Sequence, residues 1–246
     1  MIYNKNKFIH IESAASTNTY LKELCQKSDI EDGTVIYTHA QTAGRGQRGN
    51  RWESEPGQNI TMSLLIKPTH IPASGQFLLS QIVSLGVTDV LSEYAPGFSI
   101  KWPNDIYWKD KKIAGILIEN TLQGEIYSQA IIGIGLNVNQ QEFISDAPNP
   151  VSLRQITGKS YDTGKLLHKI VYAIALRYES SKKEINSLRK DYSGQLFRHT
   201  GYYPYESKGE IFKACITKIE DSGLIVLKTE TGEERRYAFK EVSFLL

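Results

Sequence analysis

Apolar residues recur along this chain with two different spacings, and each change of spacing marks an element. Residues 8–12 and 34–38 are short β-branched and aromatic runs that read as strands. Between them, Ser16, Thr17, Asn18 and Thr19 precede a helical pattern over 20–25, where small hydroxyl and amide residues cap a helix. Capping alone would explain them, and so would a polar ligand at the helix N-terminus. Ile60, Met62, Leu64 and Ile66 alternate with Thr61, Ser63 and Leu65, a strand with at least one buried face. From Pro72 to about residue 94 the spacing turns helical, and Leu78, Leu79, Ile82, Val83, Leu85, Val87, Val90 and Leu91 form a broad stripe suited to packing on a sheet. Residues 99–108 and 112–119 then read as a hairpin, with a tight turn at Lys109-Asp110-Lys111 and a first arm broken by Pro103. Another strand covers 126–135. Ser152 caps a short helix and Asp162 a longer one, with Leu167, Ile170, Val171, Ile174 and Tyr178 on one face.

Beyond Leu196 the pattern changes. Runs at 211–219, 224–227, 235–239 and 242–246 are separated by the turn signals Asp221-Ser222-Gly223 and Thr231-Gly232-Glu233, which predicts a small barrel. The chain divides on this reading near residues 190–198, into 1–194 and 195–246.

Glycine and arginine concentrate in one stretch, Gln41-Thr42-Ala43-Gly44-Arg45-Gly46-Gln47-Arg48-Gly49-Asn50-Arg51-Trp52, with three of each within eight residues. Glycines let backbone N–H groups approach a ligand, and arginine forks suit carboxylate and phosphate. The stretch reads as an anion-binding loop, though a solvated Gly/Arg turn has the same composition. It lacks the Gly-Lys-Ser/Thr of a Walker A loop and the setting of a dinucleotide fingerprint. Lys101, in Lys101-Trp102-Pro103-Asn104-Asp105, stands where a lysine points at a ligand while Trp102 packs; alone, such a lysine is more often a surface residue. Gly115 inside one strand reads as a close-approach glycine or a bulge, and Gly133 and Gly135 at the end of the next suggest backbone passing close to a ligand or a neighbouring chain, though packing alone would also explain them.

Bulk properties narrow the class. The 246 residues suit one large domain or a medium and a small one. A net charge of +2 argues against a dedicated nucleic-acid protein. Cys25 and Cys215 match no metal spacing and read as reduced and buried or inert, which fits a cytoplasmic location. There is no N-terminal apolar segment and no apolar run of membrane-spanning length.

Four pieces, in order over about residues 10–140, resemble the biotin protein ligases (biotin–acetyl-CoA-carboxylase ligases). They are Ser16-Thr17-Asn18; the loop from Gln41 through Gly49; Lys101-Trp102-Pro103-Asn104-Asp105 with Ala114-Gly115-Ile116-Leu117; and Gly133-Ile134-Gly135-Leu136-Asn137-Val138-Asn139. The resemblance implies an α+β fold: a class II aminoacyl-tRNA-synthetase-like catalytic domain, a mixed β-sheet with flanking helices, plus a small C-terminal SH3-like β-barrel. It implies that biotin and ATP give biotinyl-5′-AMP, with Mg²⁺ offsetting the triphosphate charge, and that biotin then passes to a lysine of a biotin carboxyl carrier protein domain. It assigns biotin contacts to Ser16, Thr17, Asn18, Gln41, Gly44, Arg45, Gly46, Gln47, Lys101 and Gly115, and ATP contacts to Arg48, Trp52, Asn104 and Asn137. Lys101, Arg45 and Arg48 are the cations on offer to hold two anions at reacting distance. Asp105, the carboxylate nearest Lys101 in sequence, is a candidate to orient or accept a proton from the acceptor lysine, and equally a turn cap or a metal neighbour.

Two departures stand out. Gln47 and Asn50 replace arginines common in the family loop, and Arg51 follows one position later. Only residues 1–7 precede the first strand, so the helix-turn-helix of the repressor-type members, and DNA binding with it, is not expected. A homodimer is left open. The nearest rival is a lipoate–protein ligase, with the same fold and adenylate logic; the complete loop and the Lys101–Asp105 run favour biotin. A non-catalytic nucleic-acid-binding module is the rival from another class, and the small net charge counts against it.

Overall fold

A computed structural model describes residues 2–123, 126–144 and 149–245, with the side chains of residues 48, 122, 123 and 126 outside it. In chain order the first part runs β1 (Phe8–Ala14), α1 (Thr17–Lys27), β2 (Val35–Gln41), β3 (Ile60–Ile66), α2 (Phe77–Ser92), β4 (Phe98–Lys101), β5 (Asp105–Trp108), β6 (Lys111–Gln123), β7 (Ile126–Leu136), α3 (Leu153–Thr157), α4 (Thr163–Ser181) and α5 (Ile185–Gly194). The strands form one seven-stranded sheet in the order β1-β2-β3-β7-β6-β5-β4. β1 and β2 are parallel and the other pairs antiparallel, so the sheet is mixed, as expected.

The period of two sorts the two faces. Met62, Leu64, Ile132 and Ile134 join the α2 stripe and the inner face of α4 in the main core. On the opposite face, Leu21 of α1 packs on Ile36, Leu65 and Ile131. All seven residues of β3 are buried, and burying one such Leu or Ile side chain stabilises by roughly 1.5–3 kcal/mol. Helix α1 covers only part of its face. Farther along, Thr61, Gly135 and Gly115 lie side by side in register, next to a row of Ser63, Gly133 and Leu117. Glycine at three of the six positions in this strip lets other groups approach the sheet backbone closely.

One expectation changes. Residues 98–123 form two hairpins, not one with a broken arm: β4 pairs with β5, and β5 with β6. Proline has no N–H for a ladder, and the chain uses Trp102-Pro103-Asn104, with a cis Trp102–Pro103 bond, as the reversal that sets Lys101 opposite Asp105. Cys25 and Cys215 are free and half-buried; burial pushes the Cys25 thiol up.

The C-terminal strands β8 (Tyr203–Ser207), β9 (Glu210–Ile219), β10 (Ile225–Thr229), β11 (Glu234–Tyr237) and β12 (Ser243–Phe244) form an antiparallel sheet in the order β11-β10-β9-β8-β12. The connection to it runs along the edge of the large sheet, where Ile100 N donates to Gln195 O (2.8 Å) and Phe197 N to Ile100 O (2.8 Å). Trp102 Nε1 donates to Gly223 O (2.9 Å), and its ring meets Phe239 edge-on. Gly223 has φ +90° and leaves no room for a side chain against Phe77. No described helix is long and apolar enough to cross a membrane.

Candidate active site

An open cavity of about 130 Å³ lies on the glycine strip, bounded by the start of α1, the Gly/Arg loop, the Trp102–Asn104 reversal and Phe239 of the C-terminal segment. Most of the residues singled out in the sequence converge there: Ser16, Thr17, Asn18, Gln41, Arg45, Gly46, Gln47, Trp52, Lys101, Asn104, Asp105 and Gly115 all line it.

The start of α1 is built differently from a simple cap. Ser16 occupies the N-cap position but its side chain caps nothing, although it is 95% removed from solvent at 5% exposure. The cap comes from Gln41, whose Oε1 accepts from Thr17 N (3.0 Å) and Thr17 Oγ1 (3.4 Å). This ties the end of β2 to the helix and leaves the Ser16 hydroxyl for the cavity. Asn18 is fully engaged in the scaffold. Its Oδ1 accepts from Ser63 Oγ (2.6 Å), and its Nδ2 donates to Glu119 Oε2 (2.8 Å) and Leu117 O (3.3 Å). Gly133 is glycine because an added Cβ would stand 2.5 Å from Asn18 Oδ1.

The loop folds back on itself. Trp52 N donates to Gly44 O (3.0 Å), Gly46 N donates to Asn50 O (2.7 Å), and Arg45 bridges to Arg51. Gly44 faces outward from the main cavity, and a Cβ there would strike the Trp52 carbonyl. The Trp52 ring lies on Gly115 and Gly135, where any Cβ would meet the indole, and its buried N–H has no partner among the described residues. Arg51 and Asn50 also line the cavity. The Arg48 side chain lies outside the described residues. Asn137 does not line the cavity: it is buried, and its Nδ2 holds Val151 O at 3.2 Å. Asn104 lines it, but its amide holds Ile116 O across the reversal (2.5 Å).

Three of the described cations around the cavity have protein partners. Arg45 Nη2 pairs with Glu119 Oε2 at 3.1 Å and Lys112 Nζ with Asp105 Oδ1 at 2.7 Å. Lys101 Nζ donates to Tyr107 Oη at 3.3 Å and sits 5.0 Å from the Tyr107 ring and 5.3 Å from the Phe244 ring. Lys101 is thus not the surface residue its context suggested. Burial pulls its ammonium below the usual lysine range; Asp105 opposes this, and Lys112 and Arg198 add to it. Burial likewise pushes the Tyr107 phenol up.

Sequence reasoning missed Lys112 and Glu119. The period of two from Gly115 through Leu117 to Glu119 would have found the carboxylate. A register shift between Ile106 and Tyr107 hides Lys112 from the same argument. Taken together, the site offers two arginine or lysine ion pairs able to exchange for an anion, a mostly buried amine, and a neutral polar end at α1.

Residues 10–137 match the Biotin/lipoate A/B protein ligase family. The chain belongs to that family. It is 31% identical to the bifunctional ligase/repressor BirA of Bacillus spizizenii, over 94% of this chain and 72% of that protein. It is 28% identical to the biotin–protein ligase of Homo sapiens, over 90% of this chain and 32% of that one. Its fold matches the biotin protein ligase of Aquifex aeolicus solved with biotin and ATP, at TM-score 0.78, 27% identity and 96% and 97% coverage of the two chains. The family match spans both rows of the strip, both hairpins and the Gly/Arg loop, so the cavity is built from the family's own segment. The Phe239 wall comes from outside it.

Proposed function

We propose that the chain is an ATP-dependent biotin protein ligase. The observation that supports this best is the meeting of the α1 N-terminus, the Gly/Arg loop and the Lys101 hairpin in one cavity. A biotin head is neutral and needs donors and acceptors when buried; Ser16, Thr17 and Gln41 supply them beside the Gly115 strip. In the first step a carboxylate oxygen of biotin attacks the α-phosphorus of ATP and pyrophosphate leaves. Arg45, Arg48 and Lys101 neutralise charge where the two anions meet, and Trp52 and Asn104, which line the cavity, face the ATP side; Asn137, buried behind it, acts only through the backbone it holds. The mixed anhydride is water-labile, so closure of the loop at 44–52 protects it. In the second step a carrier lysine nitrogen attacks the acyl carbon, AMP leaves and the amine gives up a proton. Asp105, which lines the cavity and pairs with Lys112, is our candidate to orient that amine.

Among the described residues no group of three or more His, Cys, Asp or Glu side chains could hold a metal. The carboxylates Asp105 and Glu119 are both tied to cations, so these residues do not form a protein-held Mg²⁺ centre; the ion would come with the phosphates of ATP. The carrier is a biotin carboxyl carrier protein domain of a biotin-dependent carboxylase, the location is cytoplasmic, residues 1–194 are the catalytic unit and 195–246 the SH3-like one. Pyrophosphate exchange into ATP tests the reading: biotin should support it and lipoate should not. Exchange with lipoate alone would move the chain to the other branch of the family.

A further inference from the structure

The C-terminal segment meets the site at two points: Phe239, between β11 and β12, lines the cavity wall, and Phe244 of β12, outside that lining, stands over Lys101. The second contact is the unusual one. Lys101 is mostly buried, and among the described residues no carboxylate lies within ion-pair distance of its ammonium, which donates to the Tyr107 hydroxyl at 3.3 Å. The positive charge instead faces two aromatic rings at 5.0 and 5.3 Å, within the range where a ring quadrupole attracts a cation. Both rings are fixed from behind. Tyr107 is 2% exposed and packs on Phe197; Phe244 packs edge-on against the buried Tyr205. The charged groups acting on Lys101 come from three sides: Asp105 on β5, Lys112 on β6 and Arg198 on the connection between the sheets.

We propose that Tyr107 and Phe244 are positioning residues for Lys101, so that the C-terminal sheet takes part in adenylate formation by holding the reacting ammonium. Neither ring touches substrate; both act through the lysine. This rests on the ligase reading above. Tyr107 supplies an acceptor and a ring from the large sheet. Phe244 supplies a ring from the small one, and closes the side of Lys101 that water would otherwise reach. The two together keep a charged amine in a desolvated place, where its field on a phosphate is strongest.

The sign of the pH effect follows. Lys101 works as an ammonium, so activity falls as pH rises through its titration. Burial already starts that fall below the ordinary lysine range. Replacing the Phe244 ring by leucine keeps that side of Lys101 apolar and shielded but removes the ring's attraction for the charged form, which moves the alkaline limb to still lower pH.

The test is biotin-dependent pyrophosphate exchange by the full chain, from pH 6 to 10, for wild type, Phe244→Leu, Phe244→Tyr, Tyr107→Phe and Phe212→Leu. Phe212 stacks on Tyr205 and Tyr237 in the same sheet, away from Lys101, and controls for general packing. Phe244→Leu should lower kcat roughly 3- to 10-fold with little change in either KM, and shift the alkaline limb down by roughly 0.5–1 unit. Phe244→Tyr should restore both. Tyr107→Phe should shift the limb the same way, since it keeps the ring and loses the acceptor. Profiles superimposable on wild type would overturn the proposal, as would a Phe212→Leu profile shifted as far as that of Phe244→Leu. So would a Phe244→Leu defect confined to KM. Absence of biotin-dependent exchange in the wild type would instead overturn the ligase reading itself.

Discussion

Gly133→Ala tests how the cavity is held together. The three atoms nearest an added Cβ all belong to one carboxamide: Asn18 Oδ1 at 2.5 Å, Cγ at 3.0 Å and Nδ2 at 3.1 Å. The whole group must move, which breaks its bond from Ser63 Oγ (2.6 Å) and its bond to Glu119 Oε2 (2.8 Å). A neutral hydrogen bond contributes about 1 kcal/mol and one to a carboxylate about 1.5–3 kcal/mol. The expected loss is roughly 2–4 kcal/mol, which for a chain of this size lowers Tm by roughly 5–15 °C. Thermal unfolding followed by circular dichroism measures it. The decisive arm is a double-mutant cycle with Asn18→Ala, which removes the three atoms nearest the new Cβ. In that background Gly133→Ala should cost less than about 0.5 kcal/mol. If the two costs simply add, Gly133 is not glycine for the sake of Asn18, and the account of this corner is wrong.

Lys101→Ala should slow adenylation by at least ~100-fold while biotin binding, followed by calorimetry, persists; Lys101→Arg should not fully restore the rate, because the two cations differ in shape. The loop at 44–52 should be cut by trypsin in the free protein and protected by biotin plus ATP, and Arg48→Gly should release intermediate that labels bystander lysines; equal cleavage in both conditions would remove loop closure from the mechanism. Asp105→Asn should spare pyrophosphate exchange and reduce transfer to a carrier domain, most steeply at lower pH; loss of both half-reactions together would place Asp105 on the ATP side.

The large sheet was legible because β3, β6 and β7 are long and apolar, with a clear period of two. Helices α2 and α4 were legible because their stripes are broad. Helix α5 escaped because only Leu188 and Tyr192 of its ten residues are buried, too few to show a period. Strand β8 escaped because Pro204 interrupts a five-residue run. Within the site, glycines and arginines could be read from spacing, since their roles depend on residue type. Partners could not. That Gln41 caps α1, that Glu119 holds Arg45, and that Phe244 reaches Lys101 all join residues more than twenty positions apart. Such pairs are fixed by strand order and register, which no local pattern carries.

The Gly115–Gly135 pair sets a limit on redesign. Widening a pocket for a bulkier analogue normally means trimming side chains beneath the ligand. Here the two residues under Trp52 have none to trim. Any gain of depth would require the backbone of β6 and β7 to separate, at the cost of their ladder. New room must therefore come from above and from the sides, by shortening Trp52 or Leu117. Shortening Trp52 also alters the loop that covers the site, so on that route a broader substrate range and a looser lid would arrive together.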